Sequence, residues 1–245
     1  MTLMNAVMCD AISEDIGSVS LREVELPEPG PGEVRVRLKA CAVNFPDLLM
    51  IQGKYQFKPP LPFAPGGEAA GDVEACGPGV SVKEGDAVVV SMRYGGFAEA
   101  VVVAESQLKP LPKGMDYAKA ASYQTAYLTA YVALYRRGHL QAGEHLLVHG
   151  ATGGVGMAAV DLGKHFGAQV IGTGGRDDKL AVVKSRGADH VINYTQADGS
   201  LGGFRDQVKT LTEGRGADVV YDPVGGDVFD AVSYTHLTLP TRAQV

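Results

Sequence analysis

The chain has no histidine before His139, no CxxC pair, no Lys/Arg run longer than two residues and no apolar run approaching a membrane span. Each gap excludes something. A membrane helix needs roughly 18–20 consecutive apolar residues, and a secretory leader needs a basic stretch followed by an apolar one. Neither pattern is present. A net charge of −6 without a basic cluster offers no electrostatic footprint for nucleic acid or for an anionic membrane. Cys9, Cys41 and Cys76 are far apart and odd in number, which suggests neither a disulfide framework nor a zinc knuckle. They read as reduced thiols of a cytoplasmic protein, with Cys41 and Cys76 as small buried hydrophobes.

What is there is enough for a core. The 245 residues are 45% hydrophobic, and the 32 glycines are scattered among apolar runs without a period, which suggests many tight turns. Up to Leu111 the rhythm is short. Val34 to Leu38 alternates, Ala87 to Val90 and Ala100 to Val103 are apolar runs, and Pro31-Gly32, Gly77-Pro78-Gly79 and Gly85-Asp86 punctuate them. This half reads as a small β-rich domain. From Tyr117 the rhythm lengthens, and Ala120 to Tyr135, rich in Ala, Leu and Tyr without Gly or Pro, predicts one helix leading into a second domain. The boundary falls near residues 112 to 122. Beyond it, strands at 146–149, 169–172, 190–192 and 218–221 alternate with helices at 155–166, 178–186 and 204–212, the pattern of a parallel sheet wrapped by helices.

The segment Gly150-Ala151-Thr152-Gly153-Gly154-Val155-Gly156 follows an apolar strand and opens a helix whose apolar face is Val155, Ala159, Leu162 and Phe166. Glycine there allows a sharp turn, lets a pyrophosphate reach backbone N–H groups and lets helix and strand pack closely. A turn that binds nothing is the alternative. The end of the second strand normally carries Asp or Glu in an NAD enzyme, to hold the ribose 2′-hydroxyl. Here that place reads Gly172-Thr173. Arg176 and Lys179 follow and suit a 2′-phosphate, so NADPH is favoured over NADH. Read plainly, residues 176–179 are a solvated helix start.

These motifs resemble the medium-chain dehydrogenase/reductase superfamily, and within it the zinc-free quinone oxidoreductase (zeta-crystallin-like) branch. The resemblance runs from the N-terminus to about Phe229. It is carried by Pro31-Gly32-Glu33-Val34, Asn44-Phe45-Pro46-Asp47, Gln52-Gly53-Lys54-Tyr55, Pro65-Gly66-Gly67-Glu68 with Gly71, Gly95-Gly96-Phe97-Ala98-Glu99, the glycine turn, and Asp218 to Gly226. It implies an α/β protein: a GroES-like catalytic domain over 1–115, an incomplete Rossmann NADPH-binding domain over 116–231, and a tail, 232–245, outside the family pattern. In zinc-dependent relatives a Cys and a His of the first domain hold the metal; Asn44 and Gly67 stand at those positions here, so no zinc site is expected. Without a Lewis acid, acceptors that delocalise hydride charge become the expected substrates, a quinone or an α,β-unsaturated carbonyl.

The resemblance also implies that Asn44, Asp47 and Tyr55 lie around the acceptor, that Thr125 approaches the nicotinamide, and that Lys179 and Tyr194 contact the 2′-phosphoadenosine end. Asp47 reads equally as a residue that holds a loop, Tyr55 as a surface ring, and Tyr194 as a plain strand-end tyrosine. A homodimer is expected of the complete family member. Family members continue past Gly226, whereas Val232 to Thr241 resembles translated sequencing adapter. The expectation is a chain lacking its native C-terminal part, with the strand at 218–221 left unpaired on one side. A quinone reductase is the leading reading; an enoyl or alkenal reductase and a non-catalytic NADPH-binding protein or inactive fragment are its rivals.

Overall fold

A computed structural model describes residues 2–196, 199–229 and 242–244. The chain divides into two compact units, Met1–Thr125 and Ala126–Val245.

In the first unit, β1 (Leu3–Cys9) and β2 (Val19–Glu25) form an antiparallel pair. A five-stranded antiparallel sheet follows, built from β3 (Glu33–Cys41), β4 (Glu68–Cys76), β5 (Ala87–Ser91), β6 (Ala100–Ala104) and β7 (Leu108–Pro110), in the order β6-β3-β4-β5-β7. Alternation makes the core, because Val34 and Val36 point inward with Val73, Val88, Val90 and Val103. Gly71 is required for the central pairing: a β-carbon there would lie 2.1 Å from the Arg37 carbonyl oxygen, and the β3–β4 register shifts between Leu38 and Ala40. The short helix α1 (Phe45–Ile51) sits between β3 and β4 in the chain.

The predicted single helix over 120–135 is not one helix. Helix α2 (Tyr117–Ala120) ends first, α3 (Gln124–Tyr131) then begins, and Val132–Arg137 forms a wider π turn closed by a 2.6 Å bond from Gly138 N–H to the Ala133 carbonyl. The propensity of the stretch is helical throughout. What divides it is tertiary, since the buried Glu68 carboxylate accepts the Gln124 and Thr125 N–H groups and starts a new helix there.

The second unit is a parallel sheet of β8 (His145–Val148), β9 (Gln169–Gly174), β10 (His190–Asn193), β11 (Val219–Tyr221) and β12 (Arg242–Gln244), in the order β10-β9-β8-β11-β12. It carries α4 (Gly154–His165), α5 (Asp177–Ser185) and α6 (Phe204–Leu211). The face that α4 buries is wider than the expected one. Ala159 is buried together with Gly156, Ala158, Val160 and Gly163, and Val155, Leu162 and Phe166 pack against that core, partly buried. Small residues let the helix lie close: a β-carbon at Gly163 would meet Leu146 at 2.6 Å and Val170 at 2.9 Å. The strand expected to be unpaired, β11, pairs with β8 on one side and with β12 on the other. Apart from β12, the tail reading concerns residues outside those described. Among the described residues no helix is long and apolar enough to cross a membrane.

Candidate active site and cofactor site

A cavity of about 610 Å³ lies within the first unit, lined by Asn44, Tyr55 and Thr125 together with Met50, Phe57 and Arg93. Asp47 and Gly67 also reach its wall. Three of the residues expected around the acceptor, and Thr125, are therefore brought together from α1, the loop after it and the start of α3. Asn44 precedes α1, and Asp47 in the first turn accepts the Asn44 N–H at 2.7 Å. Its second oxygen accepts the N–H of Gly66 at 3.1 Å, which ties the helix to the glycine loop before β4. Both oxygens of Asp47 are thus engaged by backbone, and the side chain is 3% exposed. Burial pushes its pKa above the ordinary carboxylate value, the two N–H bonds pull against that, and the nearby Glu68 adds to the push. These two bonds hold the loop before β4 to the start of α1, and Asp47 does so from the cavity wall.

Glu68, 1% exposed, was not singled out among the site residues by sequence. Besides Gln124 and Thr125 it accepts from the Asn44 amide at 3.4 Å. Its position in Pro65-Gly66-Gly67-Glu68, a charge directly before the small apolar residues Ala69 and Ala70, was the available signal. Arg93, Phe57 and Met92 were also missed; Arg93 is a charge just beyond the apolar run of β5, where a strand gives way to a loop.

A zinc ion does not fit the residues present. Gly67 has no side chain, Asn44 offers an amide, Asp47 is held by two N–H groups, and Glu68 already accepts three bonds. The thiol of Cys41, nearby on β3, is pushed up to about 12 by burial, with the charge of Asp47 adding, so it stays protonated and inert.

In the second unit the glycine turn joins β8 to α4. Gly150 has a positive φ of 57°, and a β-carbon on it would meet Val224 at 2.7 Å, so the turn after β8 lies against the turn after β11. That is where the strand order reverses, β9 lying on one side of β8 and β11 on the other. Ala151 is buried and bonds through its N–H to Thr173, Thr152 and Val155 are half-buried, and Gly153 and Gly154 are exposed. A β-carbon at Gly154 would meet nothing within 4 Å, whereas one at Gly156 would lie 2.2 Å from the Gly150 oxygen. Gly154 leaves open space beside the first-turn N–H groups of α4, which have no carbonyl one turn back to bond, and a β-carbon at Gly153 would touch only the Gly150 oxygen, at 3.4 Å. Gly156 lets the helix close onto the turn. The residues fit a pyrophosphate.

Gly172 is displaced from its expected place. β9 continues to Gly174, and Gly172 is buried within it, its missing side chain giving room to Val183 and Ala151 at 2.9 and 3.1 Å. The strand end is Gly174-Gly175-Arg176, with Tyr194 beside it: a β-carbon at Gly175 would lie 3.3 Å from the Tyr194 ring. Arg176 and Lys179 are exposed, and Arg176 holds Asp178 through bonds of 3.0 and 2.7 Å.

Residues 30–113 match the family described as alcohol dehydrogenase GroES-like domain, and residues 154–236, running past Phe229, match zinc-binding dehydrogenase. A probable oxidoreductase from Mycobacterium abscessus has a similar structure, with a TM-score of 0.86 and 40% identity, covering 96% of this chain and 72% of that one. The chain belongs to the medium-chain dehydrogenase/reductase superfamily. Within this superfamily it falls in the zinc-free quinone oxidoreductase branch, pairing a GroES-like domain with a Rossmann-like one. It is 40% identical over 227 residues to the quinone oxidoreductase-like protein 2 homolog of Nematostella vectensis, covering 91% of this chain and 60% of that protein. The chain therefore spans about 60% of the length of that curated relative. A mycobacterial protein solved with NADPH has a TM-score of 0.82 and 33% identity, over 95% of this chain and 70% of that one.

Proposed function

We propose that this member of the superfamily is an NADPH-dependent oxidoreductase that reduces a quinone, with an α,β-unsaturated carbonyl as the alternative acceptor. The observation that carries it is the end of β9, where Gly174, Gly175 and Arg176 stand in place of a carboxylate beside an intact glycine turn. NADPH, when bound, supplies the hydride. The chain's own residues bind and position. Gly153 and Gly154 admit the pyrophosphate to the N–H groups of Gly154, Val155 and Gly156, with Gly150, Ala151 and Thr152 shaping the turn. Arg176 and Lys179 hold the 2′-phosphate, and Tyr194 flanks the adenosine end.

In the first unit Tyr55 forms an aromatic wall for a flat acceptor, Asn44 offers it a polar contact, and Thr125, on the same wall, approaches the nicotinamide. We assign Asp47 as a positioning residue, because its two backbone bonds fix the N-terminus of α1 and so the place of Asn44. The first unit is taken as the catalytic domain and the second as the cofactor domain. A homodimer and a cytoplasmic location are proposed from the family likeness.

NADPH oxidation should be measured with quinones and with alkenals, and cofactor binding with NADPH and with NADH. Turnover with quinones, and NADPH binding that Arg176→Ala weakens about tenfold while barely changing NADH binding, are the expected results. Equal losses for both cofactors would remove the 2′-phosphate role, and turnover with neither acceptor would remove the enzyme reading.

A further inference from the structure

Arg93 differs from the other three arginines of the first unit. Arg22, Arg35 and Arg37 each hold a carboxylate. Among the described residues Arg93 pairs with none, although it stands on the wall of the first-unit cavity. Its guanidinium lies over the Phe57 ring, 4.7 Å from the centroid. Phe57 in turn stacks on Tyr94 at 6.0 Å, and Tyr94 meets the edge of the buried Phe63 at 6.1 Å. The aromatic stack holds the face of the guanidinium and leaves its N–H edge for another partner.

The only other charged side chain on the wall is Asp47, whose oxygens both accept backbone N–H groups. A ligand in the cavity meets an exposed, planar, five-donor cation that no carboxylate of the described residues pairs with, set among Met50, Tyr55, Phe57 and Met92. We propose that Arg93 is a specificity-determining residue that selects flat conjugated acceptors bearing an anionic substituent, a carboxylate or sulfonate, over their neutral counterparts. The proposal rests on the reductase reading for the word acceptor, but the anion preference is a property of the cavity itself.

The test uses the full chain in two arms. In the first, kcat/KM with NADPH is compared for a neutral naphthoquinone and its sulfonated analogue, in the wild type, Arg93→Gln and Arg93→Lys. The sulfonated-to-neutral ratio should fall about tenfold in the Gln variant and be largely kept in the Lys variant, as expected for one charge-assisted bond. In the second, binding of 2-naphthoate and of neutral 2-naphthamide is measured by calorimetry, with no turnover needed. The wild type should prefer naphthoate, and Arg93→Gln should lose that preference. An unchanged ratio in Arg93→Gln, or no naphthoate preference in the wild type, overturns the proposal. A naphthoate preference lost in Arg93→Gln, without reduction of any quinone, would leave the anion site standing and sink the reductase reading instead.

Discussion

At Gly156 the backbone itself forbids a side chain. A β-carbon there would lie 2.2 Å from the Gly150 oxygen and 2.8 Å from the Ala151 Cα, and neither is a flexible side chain that can move away. Gly156→Ala is expected to cost about 1–3 kcal/mol by overpacking. Gly154→Ala, with nothing within 4 Å, should stay within about 0.5 kcal/mol of wild type. Urea denaturation of both variants distinguishes them, and equal stabilities would show that the turn does not depend on this contact. The glycine turn was legible because the need for glycine is local. Asp47 was legible only as a candidate: the Gly66 N–H that engages it comes from a loop 19 positions further along the chain, and no local pattern announces that bond.

Between elements, β3 and β4 are joined by more than their ladder. Glu74 on β4 accepts from Arg35 at 2.8 Å and from Arg37 at 2.9 and 2.6 Å, all three half-buried on one face. Burial raises the Glu74 pKa, but the Arg37 and Arg35 guanidinium groups more than reverse this, and the net shift is below its ordinary value of 4.5. A depressed acid adds stability that is present above its unfolded pKa and is lost as the pH falls through its folded one. Glu74→Gln should therefore be less stable than wild type at neutral pH, with the gap closing as the pH drops below 4.5. Thermal unfolding across that range checks it, and a gap independent of pH would refute the ion-pair account. Strands such as β3, β5 and β6 were legible from alternation or apolar runs. The division between α2 and α3 was not, because Ala, Leu and Tyr favour helix throughout and the carboxylate that starts α3 belongs to β4.

For the molecule as a whole, binding and stability are linked. A ligand that binds only the folded chain raises its stability by about 2.7 kcal/mol at one hundred times its Kd. NADPH should therefore raise the midpoint of thermal unfolding, and NADH at the same concentration should raise it less. Equal shifts would argue against a 2′-phosphate site, and no shift with either would argue against a working cofactor domain. By itself the sequence determined the two-part organisation, the strand-turn-helix of the cofactor site and the residues that replace zinc ligands, since each depends on residue type at short spacing. Only the tertiary structure decided that Gly172 packs while Gly174 and Gly175 end the strand, that Asp47 and Glu68 are held by distant N–H groups, and that Arg93 faces a cavity. Those outcomes depend on contacts between segments far apart in the chain, where the choice is made by which groups are buried together and which are left to bond.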